Sequence, residues 1–135
     1  MTKTNHLSIT LNWELGNGEL AYGKYLTDHV VKINDEVSVK AGSAPEYGGS
    51  VLNLNPEQAL AAALSSCHMM TFLALAAKMN WPVSGYTDNA IATLGKNSRG
   101  KMSVTNIELN PKIAFSKEFS VDENKIKEVL SLIHI

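Results

Sequence analysis

What this chain lacks narrows it first. Its 135 residues include one cysteine, Cys67, and one arginine, Arg99. A lone thiol closes no intrachain disulfide, and the want of a disulfide framework fits a reducing, cytoplasmic setting. Charge is sparse and balanced: 19% of residues are charged and the formal net charge is -1. No basic stripe stands out, which argues against nucleic acid, whose phosphates are held by clustered cations. His6, His29, His68 and His134 lack metal-ligand spacing, so no metal is expected. No glycine-rich phosphate loop follows a strand, and no nucleophile elbow supports serine hydrolysis. Met1 to His6 lead into an alternating stretch instead of an apolar signal core, so secretion is not expected.

What is present suffices for one domain, 1–135, with 44% hydrophobic residues. Leu7, Ile9, Leu11 and Trp13 alternate with polar residues, the pattern of a half-buried strand. Gly16-Asn17-Gly18 reads as a turn, with residues 19–22 returning antiparallel. Val30-Val31-Lys32-Ile33 and Val37-Ser38-Val39 flank Asn34-Asp35-Glu36 as a hairpin. Residues 41–54 form a Gly, Ser and Pro-rich loop, long enough to suggest a functional segment.

The strongest helix follows. Asn55 is a good N-cap, Pro56 suits the first helical position, and Gln58 completes a capping box. The helix should run to about Lys78 or Met79, with Pro82 blocking continuation. Residues 59–77 are apolar enough to raise the question of a membrane span. Ser65, Ser66, His68 and Thr71 interrupt the run, so a helix buried in a soluble protein is expected, and no membrane. Residues 83–94 and 102–115 read as two long strands around the polar turn 96–100, the second interrupted at Asn110-Pro111. Ser120 and Glu123 form a capping box for a last helix, with Ile126, Val129, Leu130 and Ile133 at helical spacing. Strands, long helix, strands, helix make an α+β arrangement.

Cys67 lies mid-way along the apolar helix, and its value is either packing or reactivity. Burial alone raises a thiol pKa and makes the sulfur inert, so reactivity needs a cation or a hydrogen-bond donor within reach. His68 is adjacent, but neighbouring helix residues diverge by about 100°. Glu57 is ten residues upstream, about 15 Å along a straight helix, so contact would require a helix break or a second copy of the chain.

Asn55-Pro56-Glu57 followed by Leu64-Ser65-Ser66-Cys67-His68-Met69 resembles the central helix of the OsmC/Ohr family of organic hydroperoxide reductases. Tyr25 with Asp28-His29, then Ser43-Ala44-Pro45-Glu46, and later Tyr86-Thr87-Asp88, match as well. The resemblance implies an α+β fold with an antiparallel sheet and a long buried central helix, in an intertwined homodimer whose active sites use both chains. It makes Cys67 the peroxidatic cysteine and Glu57 the active-site carboxylate. The substrate would be an organic hydroperoxide and the reductant an external dithiol, with no bound cofactor.

Two departures accompany it. The family's arginine precedes the Asp-His pair, and Thr27 stands there, leaving Arg99 or Lys24 as substitute cations. The family's second cysteine follows a histidine late in the last helix, and here His134 is followed by Ile135. Turnover would then rest on an external thiol, with overoxidation a hazard. Accessory candidates are His68, Thr27, Asp28, His29 and Arg99. His68 is expected as a hydrogen-bonded core or interface residue, Asp28-His29 as a local hydrogen bond at a strand start, and Met69, Met70 and Phe72 as core. Glu57 serves the helix dipole, the site, or both. Against the peroxidase stands a non-catalytic dimer that binds a small apolar ligand between subunits.

Overall fold

A computed structural model of the chain describes residues 6–116 and 118–131. The expected Ile133 and His134 lie outside the described residues. The chain forms two compact units, Met1–Pro56 and Glu57–Ile135.

The N-terminal unit holds three antiparallel strands in sequence order: β1 (Thr10–Asn12), β2 (His29–Lys32) and β3 (Ser38–Ala41). The β2–β3 hairpin closes where the notable residue is Asn34: its Oδ1 accepts from the backbone N–H groups of Glu36 and Val37, both at 2.9 Å. This local side-chain bond is why the Asn-Asp-Glu stretch turns. Residues 19–22, expected as a strand, are not one. Lys24 N–H donates to Ala21 O instead, closing a turn, so β2 pairs with β1 directly.

The long loop is ordered by backbone contacts. Pro45–Tyr47 form a 3-10 turn, and Gly49 folds back so tightly that a Cβ there would lie 1.6 Å from Ser43 O. Only glycine permits that approach. Leu54 then returns beside β3: its N–H donates to Lys40 O at 2.9 Å and its carbonyl accepts from Gly42 N–H at 3.0 Å.

In the C-terminal unit, helix α1 (Pro56–Lys78) begins immediately after buried Asn55. It ends at Asn80, not through Pro82 alone. Asn80 has φ 58°, its N–H donates to Ala77 O, and Trp81 N–H donates to Ala76 O. That is a Schellman stop with asparagine in the left-handed position.

The two expected long strands are four: β4 (Val83–Asp88), β5 (Ile91–Lys96), β6 (Met102–Glu108) and β7 (Pro111–Phe115). β4 pairs with β7 and β5 with β6, all antiparallel. Both strands break together because Asp88 Oδ1 takes the Asn110 N–H (2.6 Å) and Asn110 Nδ2 donates to Asn89 O (3.0 Å). The last helix, α2 (Glu123–Ser131), is capped by Asp122 and not by Ser120. Asp122 Oδ1 accepts from Asn124 N–H at 3.1 Å, and its carbonyl accepts from Lys125 and Ile126. A charged carboxylate at that position also suits the helix dipole.

Phe72, Ala76 and Val129 form the buried core, with Leu75, Trp81, Val83, Tyr86, Ile113 and Leu130 packed around them. The rings of Trp81 and Tyr86 lie 6.4 and 5.8 Å from Phe72. The long central helix is present as expected. Within a single chain its fully buried residues are Ala61, Phe72 and Ala76.

Candidate active site

Helical spacing puts Ala61, Ser65, His68, Phe72 and Ala76 on one face of α1. Alternation puts Tyr86 and Asp88 on one face of β4. The two faces meet. Ser65 Oγ donates to Asp88 Oδ2 at 2.5 Å, and Tyr86 Oη lies 3.4 Å from His68 Nδ1. Burial, and then the Asp88 charge, push the Tyr86 pKa above its ordinary 10.0. Tyr86 therefore keeps its proton, and its hydroxyl pairs with the His68 ring. His68 is a hydrogen-bonded residue of the packed face, as its sequence context suggested.

Cys67 is half-buried, and helical geometry turns it away from that face by about 100° from His68. Next to it begins the opposite face, where Ala63, Ser66, Met70, Leu73 and Ala74 are exposed. The thiol thus sits on the border between a packed surface and an open apolar one. Thr71 Oγ1 donates to Cys67 O at 2.9 Å, so that hydroxyl is spent on the backbone and not on the sulfur. Glu57 is half-buried in the first turn of α1, where a carboxylate complements the helix dipole. Arg99 is exposed in the β5–β6 turn, whose Asn97 Oδ1 accepts from the backbone of Arg99 and Lys101. Its guanidinium has no bond or ion pair among the described residues.

In the N-terminal unit, Thr27 is occupied. Its hydroxyl pairs with Ser43 Oγ at 2.7 Å and accepts from Ser43 N–H at 3.1 Å. His29 Nδ1 lies 2.7 Å from Thr27 O. A carbonyl only accepts, so Nδ1 carries the proton and Nε2 is the basic nitrogen of the neutral ring. Asp28 is exposed at the start of β2 and makes no local bond to His29; the short bond of His29 goes to Thr27. Trp13 Nε1 donates to Leu26 O at 2.9 Å and its ring meets Tyr25 edge-on at 6.4 Å. Together Leu11, Trp13, Leu20, Tyr25, Thr27 and His29 line an open apolar pocket of about 410 Å³.

The sequence reading missed the fastening roles of Ser65, Asp88 and Ser43. A usable signal existed for two of them: polar residues three apart on an apolar helix, matched by polar residues two apart on a following strand. Among the described residues no three His, Cys, Asp or Glu side chains gather to hold a metal ion.

The sequence profile of OsmC-like proteins matches residues 48–134. This chain belongs to the OsmC-like family. An OsmC-like protein of unknown function from Vibrio cholerae is 34% identical, over 96% of this chain and 87% of that one, with a TM-score of 0.85. Two further solved structures share the fold. An OsmC-like protein from Mycoplasma pneumoniae is 18% identical at TM-score 0.66, over 96% and 81% of the two chains. An organic hydroperoxide resistance protein from Elizabethkingia anophelis is 18% identical at TM-score 0.65, over 96% and 82%. Among curated proteins none matches the chain. The family match bears out the α+β reading with antiparallel strands and one long helix.

Proposed function

We propose that this OsmC-like protein is a homodimeric, thiol-dependent reductase of organic hydroperoxides, with Cys67 as nucleophile. The observation that carries the reading is the place of Cys67. It is partly open, on the edge of an apolar helix face that the chain leaves uncovered, while the opposite face is fastened by Ser65–Asp88 and Tyr86–His68. A second copy covering the open face would place Cys67 at a border between subunits. Glu57 is the supporting carboxylate, which a second chain can bring nearer than 15 Å of helix allows.

The chemistry balances without a bound cofactor. The sulfur attacks the outer peroxide oxygen and the O–O bond breaks. The alkoxide takes a proton and leaves as the alcohol, and Cys67 becomes a sulfenic acid. One thiol of an external dithiol displaces water to give a mixed disulfide. Its second thiol releases Cys67 and leaves as the cyclic or paired disulfide.

A second reading has its own observation. Thr27 is uncharged and its hydroxyl is locked to Ser43, beside an apolar pocket. These features favour a non-catalytic dimer that holds a small apolar ligand. Consumption of cumene hydroperoxide with a dithiol present separates the two. Wild-type protein should consume it and yield a dimedone-trappable sulfenic acid, and Cys67→Ser should fall to the uncatalysed rate. Equal consumption by the wild type and Cys67→Ser, or none by either, removes the reductase reading.

A further inference from the structure

Two turns of this protein tie down an asparagine, and a third leaves one free. In the β2–β3 hairpin Asn34 Oδ1 accepts from Glu36 and Val37 N–H, and in the β5–β6 turn Asn97 Oδ1 accepts from Arg99 and Lys101 N–H. Asn17, in the turn after β1, is exposed and has no side-chain hydrogen bond among the described residues. It is also the one asparagine of the chain that glycine follows.

That pairing has a chemical consequence. The side-chain amide carbon of an asparagine is an electrophile within ring-closing reach of the next residue's backbone nitrogen. Closure needs a side chain free to swing and a successor that leaves the nitrogen open. Asn34 and Asn97 fail the first condition, and their successors, Asp35 and Ser98, carry side chains. Asn55 and Asn110 precede proline, which has no N–H to lose. Gly18 has no Cβ, so nothing shields its nitrogen.

We propose that Asn17 is a self-modifying site of the folded chain. Gly18 N gives up its proton to solvent and attacks Asn17 Cγ. The Cγ–Nδ2 bond breaks, the nitrogen takes up a proton and leaves as ammonia, and a succinimide ring joins the two residues. Water then opens the ring. Cleavage at Cγ gives aspartate at position 17, and cleavage at the backbone carbonyl gives isoaspartate, with the chain running through the former side chain. One water is consumed and one ammonia released, with no oxidant or cofactor. Either product adds a carboxylate between Glu14 and Glu19. Isoaspartate also puts an extra methylene into the turn that joins Trp13 to Leu20, two walls of the apolar pocket. The reaction does not involve Cys67 and stands apart from the peroxide reading.

Full-length protein held in mildly alkaline buffer, then digested and followed by tandem mass spectrometry, tests it. The peptide carrying Asn17 should gain about 1 Da and split into two chromatographic forms. It should convert at least about tenfold faster than the peptide carrying Asn97. Gly18→Ala should slow it at least about tenfold. A Cβ there meets Leu15 O at 3.8 Å, an ordinary contact, so that variant keeps its fold. In guanidinium chloride the Asn97 peptide should speed up, because its turn bonds are gone, while the Asn17 rate stays within about threefold of the folded one. The proposal is overturned if Asn17 survives as long as Asn97 in the folded protein, if Gly18→Ala converts as fast as the wild type, or if unfolding speeds Asn17 about tenfold or more.

Discussion

Phe72 in the C-terminal unit is fully buried among Ala76, Val129 and two aromatic rings, whereas Trp13, the only tryptophan of the N-terminal unit, is 42% exposed. The contrast extends to their surroundings. The C-terminal unit has an internal core. Among the described residues of the N-terminal unit Ala41 is the buried apolar one, and Leu11, Leu20 and Leu26 are 60%, 64% and 73% exposed. Even α1 divides this way, with Phe72 on its packed face and Met70 and Leu73 on its open one. Exposed apolar surface on this scale marks an interaction site. If the proposed second copy covers it, the two regions differ in what stabilises them: one by packing within the chain, the other by association.

The sharpest way to break this comparison is Leu73→Glu. If a second copy covers the open face of α1, a buried unpaired carboxylate there dissolves the dimer, and sedimentation should report 14.7 kDa in place of twice that mass. An unchanged mass would mean that the face is ordinary surface.

Truncation of the two large aromatics comes next in size. Phe72→Ala should lower stability by about 3–5 kcal/mol in urea unfolding. Trp13→Ala should cost less, and its cost should shrink as the protein is diluted below the dissociation constant of the dimer, because the lost contacts belong to association. A Trp13→Ala cost independent of concentration would place its stabilisation within the chain.

The smallest expected effect is a pH dependence confined to the packed region. The folded state raises the Tyr86 pKa, through burial and the Asp88 charge. Between the ordinary value of 10.0 and the raised one, the folded chain holds a proton that the unfolded chain has lost. Stability from this source is complete below pH 10 and falls as pH rises through the raised pKa. Tyr86→Phe should flatten that alkaline decline in chemical unfolding measured at successive pH values; an equally steep decline would assign it to other groups.

Much of the fold was legible beforehand. The Asn55-Pro56 start, the length of α1 and the Asn34 hairpin each depend on residues within a few positions of one another. What escaped depended on partners further off. The two long strands became four because Asp88 captures the backbone of Asn110, and the last helix chose Asp122 over Ser120 as its cap. For the site, the thiol, the helix and Glu57 were visible, and so was the absence of arginine at position 27. That Thr27 is fastened to Ser43 was not.

The sequence by itself determined the lone thiol, its apolar helix with strand segments on either side, and the family motif that surrounds Cys67. Periodicity, capping and turn chemistry act between near neighbours, so they can be read along the chain. Only the tertiary structure decided that Asp88 anchors Ser65 and that Thr27 is tied to Ser43. Those meetings follow from strand register and from where a loop returns, and both are fixed by packing across the whole fold.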